Sequence, residues 1–223
     1  MWAGRAAGAA TLVCIDWSLF HLVNAAVATR DWLEDPVTTF ATLAVPLYAV
    51  ATVVLWFVSR PPGVSRWRLA SVSALVAAGI AMAANQVIAH VWDRPRPFAT
   101  HAAATHLLSA PSPDPSFPSD HAAAAFAIAF CVLAFSRWAG VGFLSAATLI
   151  GLSRIALGMH YPSDVLAGML VGWAAALLVV HLGRPTIVRV TAIVGRLTDP
   201  VVAPVWSRIA AIFPPPRERE TPG

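Results

Sequence analysis

The sequence predicts an all-α integral membrane protein, a bundle of five to six transmembrane helices with amphipathic segments at its N- and C-terminal ends. Composition is the first observation behind this. Of 223 residues, 58 % are hydrophobic and only 12 % charged, against about 45–50 % and 25 % in an average soluble domain, and the mean hydropathy is +0.69. Fifteen basic and 11 acidic side chains cannot cover the apolar surface that a soluble chain of this size would expose. Patterning is the second observation. The apolar residues fall in unbroken runs close to the roughly 20 needed to cross a bilayer as a helix, without the alternation of a barrel strand. Disorder and a disulfide scaffold are excluded by the same numbers. A net charge of +4, broken up by apolar runs, does not point to nucleic acid as a partner. Cys14 and Cys131 sit in apolar surroundings without metal-ligand spacing and read as packing residues.

Taken in order, Thr11–Thr29 is apolar but carries Asp16, His21 and Asn24, which are costly at mid-membrane. It reads as a partly buried or interfacial helix, with a full span as the alternative. Pro36–Val58 is the first span, with Pro46 as an expected kink. Leu69–Trp92 is the second, apolar until Asn85, Gln86 and His90. Ala122–Phe135 is the third, extended backward by Ser119–His121. Trp138–Leu157 is the fourth, interrupted by Ser153 and Arg154, and Val165–Leu182 is the fifth. Pro185–Phe213 mixes Val, Ile and Ala with Arg189, Arg196, Asp199 and Arg208, the pattern of an amphipathic helix on the membrane surface. Residues 1–213 read as one membrane-embedded domain, and residues 214–223 as a disordered tail.

Orientation follows from arginine, the sole basic residue type besides His. The loops after spans two and four share one face, with Arg30, Arg94, Arg96 and Arg154. The opposite face holds Arg60, Arg66, Arg68, Arg137, Arg184, Arg189, Arg196, Arg208, Arg217 and Arg219. The positive-inside rule makes the Arg-rich face cytoplasmic.

Three polar clusters interrupt the apolar text. Asp93-Arg94-Pro95-Arg96-Pro97-Phe98 closes span two, and Pro118-Ser119-Asp120-His121 opens span three. Ser153-Arg154, His160 and Asp164 run from span four into span five. Helix parity brings all three to the same membrane face. Singly, each has an ordinary reading: Arg94 and Arg96 as headgroup anchors, Ser119 as an N-cap, Asp164 as a first-turn dipole residue, either His as a structural one. Together they suit a phosphate. The arginines are permanent, forked cations, and Ser119 would cap span three with its N-terminal amides facing the site. The two His offer nucleophilic and acid–base chemistry. Asp164, four residues after His160, would place its carboxylate on an imidazole N–H. No carboxylate cluster is present to hold Mg²⁺, so neither metal nor cofactor is expected. His21, His90, His101, His106 and His181 belong to no such pattern. Gly168 and Gly172 have the spacing of close helix packing.

These motifs resemble the three-part signature of the type 2 phosphatidic acid phosphatase superfamily: Arg96-Pro97, then Pro118-Ser119-Asp120-His121, then Ser153-Arg154-x5-His160-x3-Asp164. The detailed likeness spans residues 85–168. It implies that His160 is the nucleophile forming a phosphohistidine, that Asp164 orients it, and that His121 protonates the leaving group and then activates water. Arg96, Ser119 and Arg154 would hold the phosphoryl oxygens. The chain departs from the family pattern where a Lys precedes the first Arg-Pro. Ala89 and Val87 stand at the two positions counted back from Arg96 and Arg94, and the chain has no Lys. Arg94 is the candidate replacement.

The longer stretches Arg94–Phe98, Ser116–His121 and Leu157–Gly168 resemble the undecaprenyl-diphosphate phosphatases of the bacitracin-resistance type. That resemblance implies hydrolysis of a polyprenyl diphosphate at the outer face of a bacterial cytoplasmic membrane. Phosphatidic acid, phosphatidylglycerophosphate or prenyl-monophosphate hydrolysis is the alternative within the superfamily. A membrane transporter or scaffold without enzymatic activity is the alternative outside it.

Overall fold

The structure, a computed structural model, describes residues 2–59 and 64–212; the tail expected at 214–223 lies outside them. Eight α-helices follow in chain order among the described residues: α1 (Trp2–Ala28), α2 (Asp31–Val58), α3 (Arg66–Val91), the single turn α4 (Pro97–Thr100), α5 (Asp120–Phe135), α6 (Arg137–Ala156), α7 (Pro162–Leu177) and α8 (Arg184–Ile212). Helices α2, α3, α6 and α7, the last prolonged by a π-helical turn at Leu178–Leu182, are long and apolar enough to cross a membrane. Their outward faces carry Leu43, Leu47, Val50, Leu149, Leu166 and Leu170, all exposed, as lipid contact requires.

Helix α5 forms the axis. It has 16 residues, a rise of about 24 Å, and α3, α6 and α7 pack around it. Ala122, Ala123, Ala127 and Ala129 are wholly buried along it, so the neighbouring backbones come close. Helix α7 comes close at the start of α5. A Cβ on Gly168 would lie 2.5 Å from the Ser119 carbonyl oxygen, and one on Gly172 would lie 2.5 Å from that of Ala123. The glycine pair is therefore what lets α7 lie against the start of α5.

The end segments differ in part from what their polar residues suggest. Phe20 is fully buried between Asp16 and Asn24, and these three positions, one turn apart, form the inward stripe of α1. Asp16 meets Arg94 and Ser163, Phe20 packs against Tyr161 with the rings tilted, and Asn24 binds the carbonyls of His106 and Ala156. All of these partners lie at one end of the bundle, so this part of α1 lies across that end. The polar residues Asp16 and Asn24, which made the segment read as partly buried or interfacial, are its docking contacts.

Helix α8 packs on α3. Its Asp199, one of the charges that suggested a surface helix, turns inward onto Arg68 at 2.5 Å. Ile187 and Thr191 are buried, while Arg189 and Arg196 remain exposed. In α2 the helix continues through Pro46 without a break.

Candidate active site

The three polar clusters meet at the end of the bundle that α1 crosses. Each is delivered by a helix terminus. Helix α3 ends at Val91, and an extended segment carries Arg94 and Arg96 to the one-turn α4. Ser119 precedes α5. Arg154 lies in the last turn of α6. Gly158 then takes φ +80, with the His106 carbonyl 2.7 Å from where a Cβ would stand. That left-handed turn, open to glycine, reverses the chain so that His160 follows α6 immediately and Pro162 starts α7.

A cavity of about 310 Å³ lies between these termini, lined by Arg96, His121, Arg154 and His160 together with Gln86, Asp114 and Asp120. A second cavity of about 440 Å³, lined by Thr38, Ala41, Thr42 and Val45 of α2, shares His121 and Arg154 with it.

His160 is held at both nitrogens. Nδ1 lies 2.8 Å from the Ser116 carbonyl oxygen, and Nε2 lies 3.2 Å from Arg96 Nη1. A carbonyl can only accept and a guanidinium can only donate, so the network assigns the proton to Nδ1 and the lone pair to Nε2. Burial pushes the His160 imidazole below its ordinary pKa; Asp164 opposes this, while Arg96 and Arg154 add to it. The neutral ring with an unprotonated Nε2 is the form a nucleophile needs.

Asp164 does not hold His160 directly. Its Oδ2 is 3.8 Å from Nδ1, beyond hydrogen-bond range. The same oxygen accepts the Ser116 hydroxyl at 2.5 Å and the Tyr161 N–H at 2.8 Å. The carboxylate, fully buried, fixes the residue whose carbonyl fixes the imidazole. Spacing alone could not show this, because the actual acceptor is a backbone oxygen 44 residues away in sequence.

Arg96 donates through Nε to the Asp114 carbonyl at 2.8 Å and through Nη1 to that of Met159 at 3.1 Å. It thereby ties the loop before α5 to the turn before α7. Arg94 does not reach the cavity. Its Nη1 donates to Asp164 Oδ1 and to Ser163 Oγ, each at 2.7 Å, its Nη2 to Asp16 Oδ2 at 2.8 Å, and its guanidinium lies 4.0 Å over the Tyr161 ring. The sequence offered it as a substitute for a missing phosphate-binding Lys; in the structure two carboxylates occupy it instead. Ser119 stands at the start of α5, yet its hydroxyl makes no capping bond. Ser153 bonds the Ile150 carbonyl within its own helix.

Near the cavity, the buried donors Ser119 Oγ and Arg154 Nε have no partner among the described residues. Leaving a buried polar group unpaired costs about 1–3 kcal/mol, more for a charged one. Arg154 lines the cavity with His121, and Ser119 lies two residues before it; the His121 ring makes no hydrogen bond to the described residues. Orphaned donors beside a poised imidazole form a receptor for an anion with several oxygens. No group of three or more His, Cys, Asp or Glu that could hold a metal occurs among the described residues.

Residues missed from the sequence complete this site. Ser116, Asp16, Ser163 and Tyr161 all support His160 or its supports. Asn85 and Gln86 donate to the Asp120 carboxylate at 2.9 and 3.1 Å.

The chain is similar to several known proteins. The undecaprenyl-diphosphatase BcrC of Bacillus subtilis is 32 % identical over 157 residues, covering 70 % of this chain and 78 % of that protein. The crystal structure of Aquifex aeolicus LpxE superposes with a TM-score of 0.60 at 26 % identity, covering 74 % of this chain and 93 % of that one. A transmembrane PAP2-type phosphatidylglycerolphosphate phosphatase from Bacillus subtilis, 24 % identical, shares the fold with a TM-score of 0.54, covering 76 % and 86 %. The model of the PAP2 superfamily matches residues 70–186, from α3 through the start of α8 and across all three clusters, so that the chain belongs to this superfamily and is a multi-pass membrane phosphatase.

Proposed function

We propose that the chain hydrolyses a polyprenyl diphosphate, of undecaprenyl or decaprenyl type, to the monophosphate and inorganic phosphate at the outer face of a bacterial cytoplasmic membrane. The observation that carries the phosphoryl chemistry is the pair of orphaned buried donors, Ser119 Oγ and Arg154 Nε, near the unprotonated Nε2 of His160, which Arg96 contacts at 3.2 Å. The terminal phosphoryl group takes its place among Arg96, Arg154 and Ser119. His160 Nε2 attacks phosphorus, the bond to the bridging oxygen breaks, and that oxygen leaves with the electron pair as part of the lipid monophosphate. His121 supplies a proton as the leaving group requires. It then takes one from water as the water oxygen attacks the phosphohistidine, releasing phosphate and restoring the Nε2 lone pair. Three fixed donors act where charge builds on the equatorial oxygens.

Diphosphate is favoured over monophosphate by the leaving group, since a phosphate monoester departs more readily than a lipid alkoxide. The likeness to BcrC, over most of both chains, supports the same choice. Phosphate release by the purified protein from polyprenyl diphosphate, polyprenyl monophosphate, phosphatidic acid and phosphatidylglycerophosphate tests it. The diphosphate should give the highest kcat/KM, by about tenfold or more, a margin of about 1.4 kcal/mol in transition-state binding. Equal or better turnover of a monophosphate would shift the assignment to that lipid, and no phosphate release from any of the four would remove the reading.

A further inference from the structure

Asp16 lies on α1, outside the residues that match the family model. It is only 12 % exposed and turns both carboxylate oxygens inward. Oδ1 accepts the Ser163 backbone N–H at 2.9 Å. Oδ2 accepts the Ser163 hydroxyl at 2.6 Å and Arg94 Nη2 at 2.8 Å. A helix that merely covered the bundle end would bury apolar side chains there, because a carboxylate taken from water is costly unless each oxygen is met.

The contacts continue to the reacting atom. Arg94 passes from Asp16 to Asp164 Oδ1, Asp164 Oδ2 receives the Ser116 hydroxyl, and the Ser116 carbonyl receives His160 Nδ1. A second strand of the same support runs from the Ser116 N–H to the Arg94 carbonyl at 2.7 Å. Arg94 is the one guanidinium paired with Asp164 among the described residues, and it is 24 % exposed. A flexible cation at that exposure would exchange its partner for water unless it were gripped from the far side as well. Asp16 is that grip.

We propose that Asp16 is a positioning residue for His160, holding Arg94 against Asp164 so that the Ser116 carbonyl keeps Nδ1–H aligned and Nε2 aimed into the cavity. The inference rests on His160 being the nucleophile. Its test therefore compares two inhibitors of the purified full-length protein. Vanadate bonds to a nucleophilic nitrogen, vanadium passing from four to five ligands without change of oxidation state, so its inhibition reads the aim of Nε2. Inorganic phosphate is held by the cavity donors alone.

Asp16→Ala should weaken vanadate inhibition and lower kcat by about tenfold or more, as for a misaimed reacting atom, while KM and phosphate inhibition stay within about twofold. Asp16→Asn, which keeps one acceptor oxygen and loses the charge facing Arg94, should fall between. If both inhibitors weaken together in both variants, Asp16 merely supports the fold and the proposal is overturned; unchanged vanadate inhibition and kcat overturn it as well. Wild-type protein that vanadate does not inhibit, and that forms no phosphohistidine, would instead refute His160 as the nucleophile and the inference with it.

Discussion

The two histidines at the cavity differ in how they are held. His160 is bonded at both nitrogens and nearly buried, whereas His121 hydrogen-bonds none of the described residues and borders two cavities. A fixed ring suits an atom that must strike phosphorus along one line. A ring free to turn suits a proton carrier that serves the leaving group and then water. His160→Ala should abolish turnover and phosphoenzyme together. Splitting a diphosphate needs little proton donation, so His121→Ala should pass the first step and stall at hydrolysis, accumulating acid-labile label from lipid diphosphate on His160. Label on His121, or on His160→Ala protein, would reverse the roles. These rings and the arginines Arg96 and Arg154 were legible in the sequence because each sits in a motif at a predictable helix end. Asp16 was not. Its charge looked like a cost in an apolar helix, since its partner Arg94 is 78 residues away. Ser116 was hidden for another reason: the atom that meets His160 is a carbonyl oxygen, which every residue type possesses.

At the scale of elements, the site depends on how closely α7 lies against the start of α5. Gly172 faces the Ala123 carbonyl and Gly168 the Ser119 carbonyl, so a side chain at either position meets backbone, which cannot swing aside. Gly172→Ala should destabilise the protein by about 1–3 kcal/mol, the usual cost of overpacking, read as a lower midpoint of thermal unfolding in detergent. Gly168→Ala should also depress kcat, because the atoms it displaces belong to the Ser119 segment proposed to bind phosphate. Thermal midpoints unchanged in both variants would mean that α7 can move outward at no cost. The same elements show where helix reading stops. The apolar runs located α2, α3, α6 and α7 to within a few residues. Helix α8 was judged by its charges, and Asp199 had a buried partner, Arg68, on a helix more than a hundred residues earlier.

For the whole molecule, the arginines divide by what they do. At the site end, Arg94 and Arg96 are tied to protein oxygens and Arg154 lines the cavity. At the other end, Arg66, Arg137 and Arg184 stand at helix starts. The positive-inside rule counts basic residues in the loops, and by that count the end opposite the site is expected to be cytoplasmic. A fluorescent reporter at the C-terminus that matures only in the cytoplasm should be bright, and an alkaline phosphatase fused there inactive. Full alkaline phosphatase activity would invert the orientation and place the site inside.

Helix α5 is sheathed by its neighbours so fully that Ala134 is its one exposed residue. Its 16 residues are shorter than the roughly 20 that a lipid-facing span requires, yet this helix carries Ser119, Asp120 and His121 at its start. A bilayer that thickens or thins is met by α2 and α3, of 28 and 26 residues, which can tilt to match it. Helix α5, which carries His121, has no hydrophobic belt of its own to be mismatched. Turnover should accordingly vary by less than about twofold between proteoliposomes of short-chain and long-chain phospholipids, since mismatch costs only fractions of a kcal/mol per Å and does not act on α5 directly. A steep dependence of kcat on acyl length would show that membrane thickness reaches the axis after all.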